Sequence, residues 1–226
     1  MMDQDKRIRV IIGLAGSGKT EFAINYAVSL AKKGRKVALV DLDVVNVYFR
    51  SREAKDELEE MGIKFIGSAI DARAVDTPAI SSEIFGPLQD STYDLVIDAG
   101  GSVNGARALG QFHEYLKPEE TDVFFVLNAN RPESRQASQA YGLMKEIEAA
   151  GRLKITGLVN ASHMLKATSE ADIERGDDLV TQVSEHLSIP VKYISVLADL
   201  AKKLDPNKYQ GDILAIHLYN RESWML

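Results

Sequence analysis

Gly13-Leu14-Ala15-Gly16-Ser17-Gly18-Lys19-Thr20, GLAGSGKT, follows the apolar run IRVII and opens a stretch of helical period, Lys19 to Lys33. It fits the pattern G-x-x-x-x-G-K-[ST] in the strand-then-helix context that gives the pattern its physical meaning. Glycines let successive backbone N–H groups curl around an anion where a Cβ would obstruct the approach. The helix N-terminus adds unsatisfied N–H groups and the positive end of its dipole. Lys19 supplies a mobile positive charge for the β- and γ-phosphates, and the Thr20 hydroxyl one position on Mg²⁺. The stretch therefore reads as a nest for a polyphosphate, with Gly13, Ala15, Gly16, Ser17, Gly18, Lys19, Thr20 and Glu21 as the nucleotide contacts.

Working outward, short β-branched apolar runs alternate with longer stretches of helical period, the pattern of parallel strands joined by crossover helices. The runs are Arg9 to Gly13, Lys36 to Asp43, Ile63 to Gly67, Tyr93 to Gly100, Asp122 to Asn128, Ile155 to Asn160 and Val191 to Val196. They are near-continuous in apolar residues, so both faces of the sheet should be covered. The spacing predicts helices over Lys19 to Lys33, Ser51 to Met61, Arg107 to Leu116, Glu133 to Ala150 and Glu170 to Leu187, with a short helix between Pro78 and Pro87. Glycine or proline just beyond most of them marks the stops. The expected fold is α/β: a three-layer arrangement with a mostly parallel sheet of about seven strands flanked by helices. No linker or repeat divides residues 1–226, which read as a single nucleotide-binding domain. The final stretch, QGDILAIHLYNRESWML, suits either a helix or a sheet edge.

A phosphate nest that uses Mg²⁺ needs carboxylates at the carboxyl ends of neighbouring strands, where a parallel sheet opens its crevice. Two runs end that way, in Asp41-Leu42-Asp43 and in Asp98-Ala99-Gly100-Gly101. Asp98 suits a Mg²⁺ carboxylate. Asp43 suits either Mg²⁺ or the attacking water, with Asp41 the second candidate for that catalytic role, and each also suits an ordinary cap or turn aspartate.

Composition narrows the alternatives. The 226 residues include 45% hydrophobic and 27% charged, the profile of a globular protein. A formal charge of −6 argues against a broadly basic face for nucleic acid. With no cysteine in the chain, disulfides, thiolate zinc sites and cysteine nucleophiles are excluded. The N-terminus lacks the apolar core of a signal peptide, and no run of about 18 uncharged apolar residues could span a bilayer. A cytoplasmic location is expected. His113, His163, His186 and His217 show no ligand spacing and read as surface or turn histidines.

The succession of GLAGSGKT, a helix ending KKG, RKVALVDLDVVNVYFRSRE, YDLVIDAGG, VFFVLNANRPESRQASQAYGLMKEI and KITGLVNASH resembles the MinD/ParA and CobQ/CobB type of nucleotide-binding domain. That type lies within the class of P-loop NTPases that also holds signal-recognition-particle and metallochaperone GTPases. The resemblance implies an asparagine that contacts the adenine base, matched here by Asn160. Two departures matter. Many MinD/ParA proteins carry a signature lysine at the second loop position, where this chain has Leu14. Asp98-Ala-Gly-Gly101 fits the D-x-x-G switch of the GTPases, yet Asn160-Ala161-Ser162-His163 lacks the lysine and aspartate that read guanine. Arg50 and Arg52 are candidates for the missing cation.

The function expected is that of an ATP-binding, Mg²⁺-dependent P-loop ATPase whose turnover (ATP to ADP) switches an interaction with a protein partner or a second copy. The alternatives are a nucleotide-dependent binding module with little turnover, a GTPase, and a small-molecule ligase or kinase of the CobB or dethiobiotin-synthetase type.

Overall fold

The computed structural model describes residues 2–43, 54–67 and 81–219. Strands β1 (Ile8–Ile12), β2 (Val37–Leu42), β3 (Lys64–Ile66), β4 (Asp94–Ala99), β5 (Thr121–Leu127), β6 (Gly157–Asn160), β7 (Val191–Leu197) and β8 (Asp212–Ile216) form one sheet. Their order is β3-β2-β4-β1-β5-β6-β7-β8, and every neighbouring pair is parallel. The seven expected strands are present. β8 is an eighth, which resolves the final stretch as a sheet edge over residues 212–216.

Helices α1 (Lys19–Lys32), α2 (Lys55–Glu60), α3 (Phe85–Gln89), α4 (Val103–Gly110), α5 (Ala137–Gly151), α6 (Glu170–Leu187) and α7 (Ala198–Ala201) connect the strands. One face of the sheet packs Val10, Val40 and Ile97 against Leu109, Met144 and Val180 of α4, α5 and α6. The other packs Ile11, Leu39 and Val96 against Phe22, Ala27 and Leu58 of α1 and α2. Because β1, β2, β4, β5 and β6 are buried along their whole length, folding removes several apolar side chains per central strand from water, each stabilising by about 1.5–3 kcal/mol before entropy is subtracted.

The helix expected over Arg107 to Leu116 instead starts at Val103 and ends at Gly110. Ser102 caps it, its hydroxyl accepting the Gly105 N–H at 3.1 Å, and residues beyond Gly110 turn toward β5. The helix expected from Glu133 splits into a 3₁₀ turn over Pro132–Ser134 and α5 proper. The segments between Ser51 and Lys55 and between Pro78 and Ser81 fall largely outside the described residues, as do Arg50 and Arg52.

Inside β1, Arg9 is fully buried rather than exposed at the strand's surface. It pairs with Asp94 at the start of β4 and donates to the Asp5 carbonyl at 3.1 Å. A buried guanidinium needs that company, since an unpaired charge in the interior costs several kcal/mol. Among the described residues no helix is long and apolar enough to cross a membrane.

Candidate nucleotide-binding site

The loop after β1 lies at the centre of the sheet, at the carboxyl ends of the strands. Gly16 (φ +73°) and Gly18 (φ +92°) take the left-handed conformation that glycine adopts without strain. A Cβ on Gly13 would stand 2.5 Å from the Val126 carbonyl oxygen, and one on Gly101 only 1.8 Å from the Gly13 carbonyl. The loop is thus wedged between β5 and the glycine pair that follows β4, which explains Gly101 by close backbone approach. Ser17 is buried, and its hydroxyl has no hydrogen-bond partner.

Register sets the acidic wall. β2 and β4 pair Asp41 with Asp98, so both carboxylates emerge at the same level beside the loop. Thr20 Oγ1 donates to Asp98 Oδ2 at 2.7 Å. Lys19 Nζ stands 2.6 Å from Asp43 Oδ2 and 3.9 Å from Asp98 Oδ1. Asp41 sits behind Asp43 and accepts its backbone N–H at 3.0 Å, which fixes the turn out of β2. Burial pushes the Asp98 carboxyl up to about 7, with the Asp41 and Asp43 charges adding to the rise and Lys19 and the Thr20 hydroxyl opposing it. Burial pulls Lys19 down, but Asp98 and Asp43 outweigh it, and the amine stays above its ordinary value.

Two carboxylates at one lysine, with Asp41 behind Asp43, make an acidic wall that suits a divalent cation. Among the described residues, no three His, Cys, Asp or Glu side chains form a metal cage by themselves. The donor set fits Mg²⁺, which keeps waters and phosphate oxygens and takes only one or two protein ligands. Asp98 Oδ1, buried and accepting no hydrogen bond, is the open position on the protein side.

A cavity of about 380 Å³ runs from the loop across the ends of β6, β7 and β8. Ala15, Gly16, Gly18, Lys19, Thr20 and Glu21 line its loop end. Ser162, His163, Ile173, Ser195, Leu197 and Leu218 are among the residues lining the other end. Glu21 also braces the outer wall, accepting the Tyr219 N–H at 3.0 Å, while Asn25 pairs twice with His217 at 2.8 Å.

Of the residues expected at the nucleotide, the loop positions with Lys19, Thr20, Asp43 and Asp98 converge. Asn160 stands apart from the cavity wall. It is fully buried, donating to the Ile173 carbonyl and accepting the Ser162 N–H, both at 3.0 Å. A Cβ on Gly176 would lie 2.1 Å from its Oδ1, so Asn160 anchors α6 where that helix has no side chain. Its successors Ala161, Ser162 and His163 line the cavity instead.

Three wall residues were not among the expected nucleotide contacts. Ser195 is 4% exposed with an unpartnered hydroxyl, within the run VKYISV. His163 packs its ring near Gly18, with Cδ2 3.5 Å from where a Cβ there would lie. Arg131, beyond β5, reaches back to the loop and donates Nε–H to the Gly16 carbonyl at 2.9 Å.

The parallel order, the glycine nest and the carboxylates at adjoining strand ends define a P-loop nucleotide-binding fold. Residues 8–206 match the CobQ/CobB/MinD/ParA nucleotide binding domain, and the chain belongs to that family. It is also 27% identical over 214 residues to the signal recognition particle 54 kDa protein of Pyrobaculum calidifontis, covering 92% of this chain. The chain spans only 44% of that relative's length. The fold is similar to chloroplast FtsY from Physcomitrella patens, with a TM-score of 0.56 at 18% identity over 83% of this chain and 57% of that one. It is similar too to the signal recognition particle 54 kDa protein of Aeropyrum pernix, solved in complex with GDP, with a TM-score of 0.52 at 22% identity over 83% of this chain and 40% of that one.

Proposed function

We propose that the chain is a Mg²⁺-dependent nucleoside-triphosphate hydrolase that uses ATP and works as a nucleotide-driven switch on a partner protein or a second copy of itself. The carrying observation is the convergence of Lys19, Thr20, Asp43 and Asp98 on one glycine nest. In this reading the loop N–H groups and Lys19 hold the phosphates, and Thr20 and Asp98 hold Mg²⁺. When bound, the cation would neutralise charge that develops on the phosphate oxygens. Asp43 releases Lys19 to the phosphates and orients a water, and Asp41 keeps the Asp43 backbone in place. Residues 1–226 act as one nucleotide-binding domain in the cytoplasm.

Adenine is favoured by the far end of the cavity. A guanine-reading site places a carboxylate against the ring's N–H groups, whereas Ser162, His163, Thr168, Ser195, Leu197 and Ile216 offer none. Guanine has its own support, in the 27% identity to a signal recognition particle protein and in the D-x-x-G fit of Asp98 to Gly101. Titration calorimetry with ATP, ADP, GTP and GDP, with and without Mg²⁺, followed by phosphate-release assays, separates the two. ATP preferred at least tenfold and hydrolysed only with Mg²⁺ is the expected result. A preference for GTP overturns the base assignment, and no phosphate release from any triphosphate, alone or with candidate partners, overturns the hydrolase.

A further inference from the structure

We propose that Arg131 is a phosphate-binding residue, a second cation for the loop in a chain whose second loop position is Leu14. The inference rests on the reading of GLAGSGKT as a polyphosphate nest. Its basis is the way the segment after β5 is built onto the loop. The Gly16 carbonyl accepts from two side chains of that segment, Arg131 Nε at 2.9 Å and Asn128 Nδ2 at 3.3 Å. A Cβ on Gly16 would lie 2.2 Å from a terminal nitrogen of Arg131 and 2.4 Å from its guanidinium carbon. The guanidinium therefore occupies the space that any other residue at 16 would fill.

The backbone fixes this approach. The Asn128 carbonyl accepts the Arg131 N–H at 3.1 Å and the Ser134 hydroxyl at 3.0 Å, and the Ser134 N–H donates to the Arg131 carbonyl at 3.1 Å. Pro132 opens the 3₁₀ turn between them. Bracing a carbonyl needs one N–H, and asparagine already supplies it, so a guanidinium here has terminal nitrogens to spare.

Charge points the same way. The other arginines held within the fold, Arg7, Arg9 and Arg35, each face a carboxylate. Arg131 lines the nucleotide cavity beside Gly16 and forms no ion pair with a carboxylate among the described residues. A half-buried guanidinium placed against an anion nest has its natural counterion in a phosphate, which its planar fork can take by two N–H groups at once. Its contribution should therefore grow with the number of phosphates on the ligand.

The test is titration of wild type, Arg131→Gln, Arg131→Lys and Lys19→Ala with ATP, ADP, AMP and adenosine, weak ligands by competition, at two salt concentrations. For Arg131→Gln the expected loss is at least tenfold for ATP and ADP, smaller for AMP and absent for adenosine, with a shallower salt dependence. Arg131→Lys should recover part of it. An unchanged ATP affinity, or an equal loss for all four ligands, overturns the assignment and leaves Arg131 as a brace. Should Arg131→Gln fail to fold, the ratio of ADP loss to adenosine loss in Arg131→Lys decides by the same criterion. A wild type that binds neither these four nor their guanine counterparts, or a Lys19→Ala variant with full ATP affinity, refutes the loop reading itself.

Discussion

Lys19 Nζ lies 2.6 Å from Asp43 Oδ2, so the lysine at the start of α1 and the carboxylate at the end of β2 hold each other across the mouth of the loop. Both side chains are nearly fully buried. A polyphosphate and Asp43 would compete for the same ammonium, so binding exchanges one buried ion pair for another and sets Asp43 free to face Mg²⁺ or water.

That exchange makes Asp43→Asn informative. Removing the competing carboxylate should leave ADP affinity unchanged or raise it a few-fold, because Lys19 keeps Asp98 at 3.9 Å as a partner. Phosphate release should fall by about a hundredfold or more, in the range seen when a positioned catalytic group is lost. Calorimetry and single-turnover assays on the variant check both halves. Loss of ADP affinity together with turnover would mean that Asp43 supports the loop instead of the reaction.

Ser195 carries the opposite signature, a cost in the free protein. Its hydroxyl is buried without a partner, which destabilises by roughly 1–3 kcal/mol. Ser195→Ala should raise the melting temperature of the nucleotide-free protein by about 2–4 °C per kcal/mol recovered. The same change should weaken nucleotide binding by about tenfold, consistent with one lost hydrogen bond to the base or ribose. Differential scanning fluorimetry and titration on the same preparation test the pairing of the two effects. An unstabilised variant with unaltered affinity would remove Ser195 from the site.

The sheet was legible because its strands are short apolar runs between glycine or proline stops, and seven of eight were read that way. β8 was ambiguous because Asp212-Ile-Leu-Ala-Ile216 runs on into HLYNRESWML with no glycine or proline to bound it. That the loop, Lys19, Thr20, Asp43 and Asp98 come together was legible because the loop joins a strand to a helix and the two aspartates end neighbouring strands. Asn160 shows the limit of that reasoning: a strand-end asparagine suits a base contact, and here its amide is taken up by Ile173 and Ser162. Arg131 was not named as a site residue, although the polar segment Asn128 to Ala140 that holds it suits a crevice wall as well as a helix start, and Ser195 reaches the cavity through tertiary placement that no local pattern encodes. Arg9 was read as part of an apolar strand, and its partner Asp94 lies 85 residues away.

The N-terminus of α6, beside the cavity, gives the protein a defined response to acid. The Ser169 backbone N–H and hydroxyl, with Arg175 and Asn130, hold the Asp172 carboxyl down at about 2. A carboxyl depressed in the folded state contributes stability that is fully present above its unfolded value, about 4, and is lost as pH falls through the folded one. Asp172→Asn should therefore lower the melting temperature at pH 7 by roughly 2–4 °C, matching about 1 kcal/mol for a lost cap interaction. The gap from wild type should narrow between pH 4 and pH 2. Thermal melts across that range test it, and a gap that stays constant would show that the charge plays no part.

Whether GLAGSGKT grips the phosphates of a nucleotide is decided by calorimetric titration of ATP with Mg²⁺ into wild type and Lys19→Ala, with circular dichroism to verify the fold. Clear binding by wild type and a loss of at least about a hundredfold in a folded Lys19→Ala variant are expected. Equal affinity in the two proteins would contradict that grip.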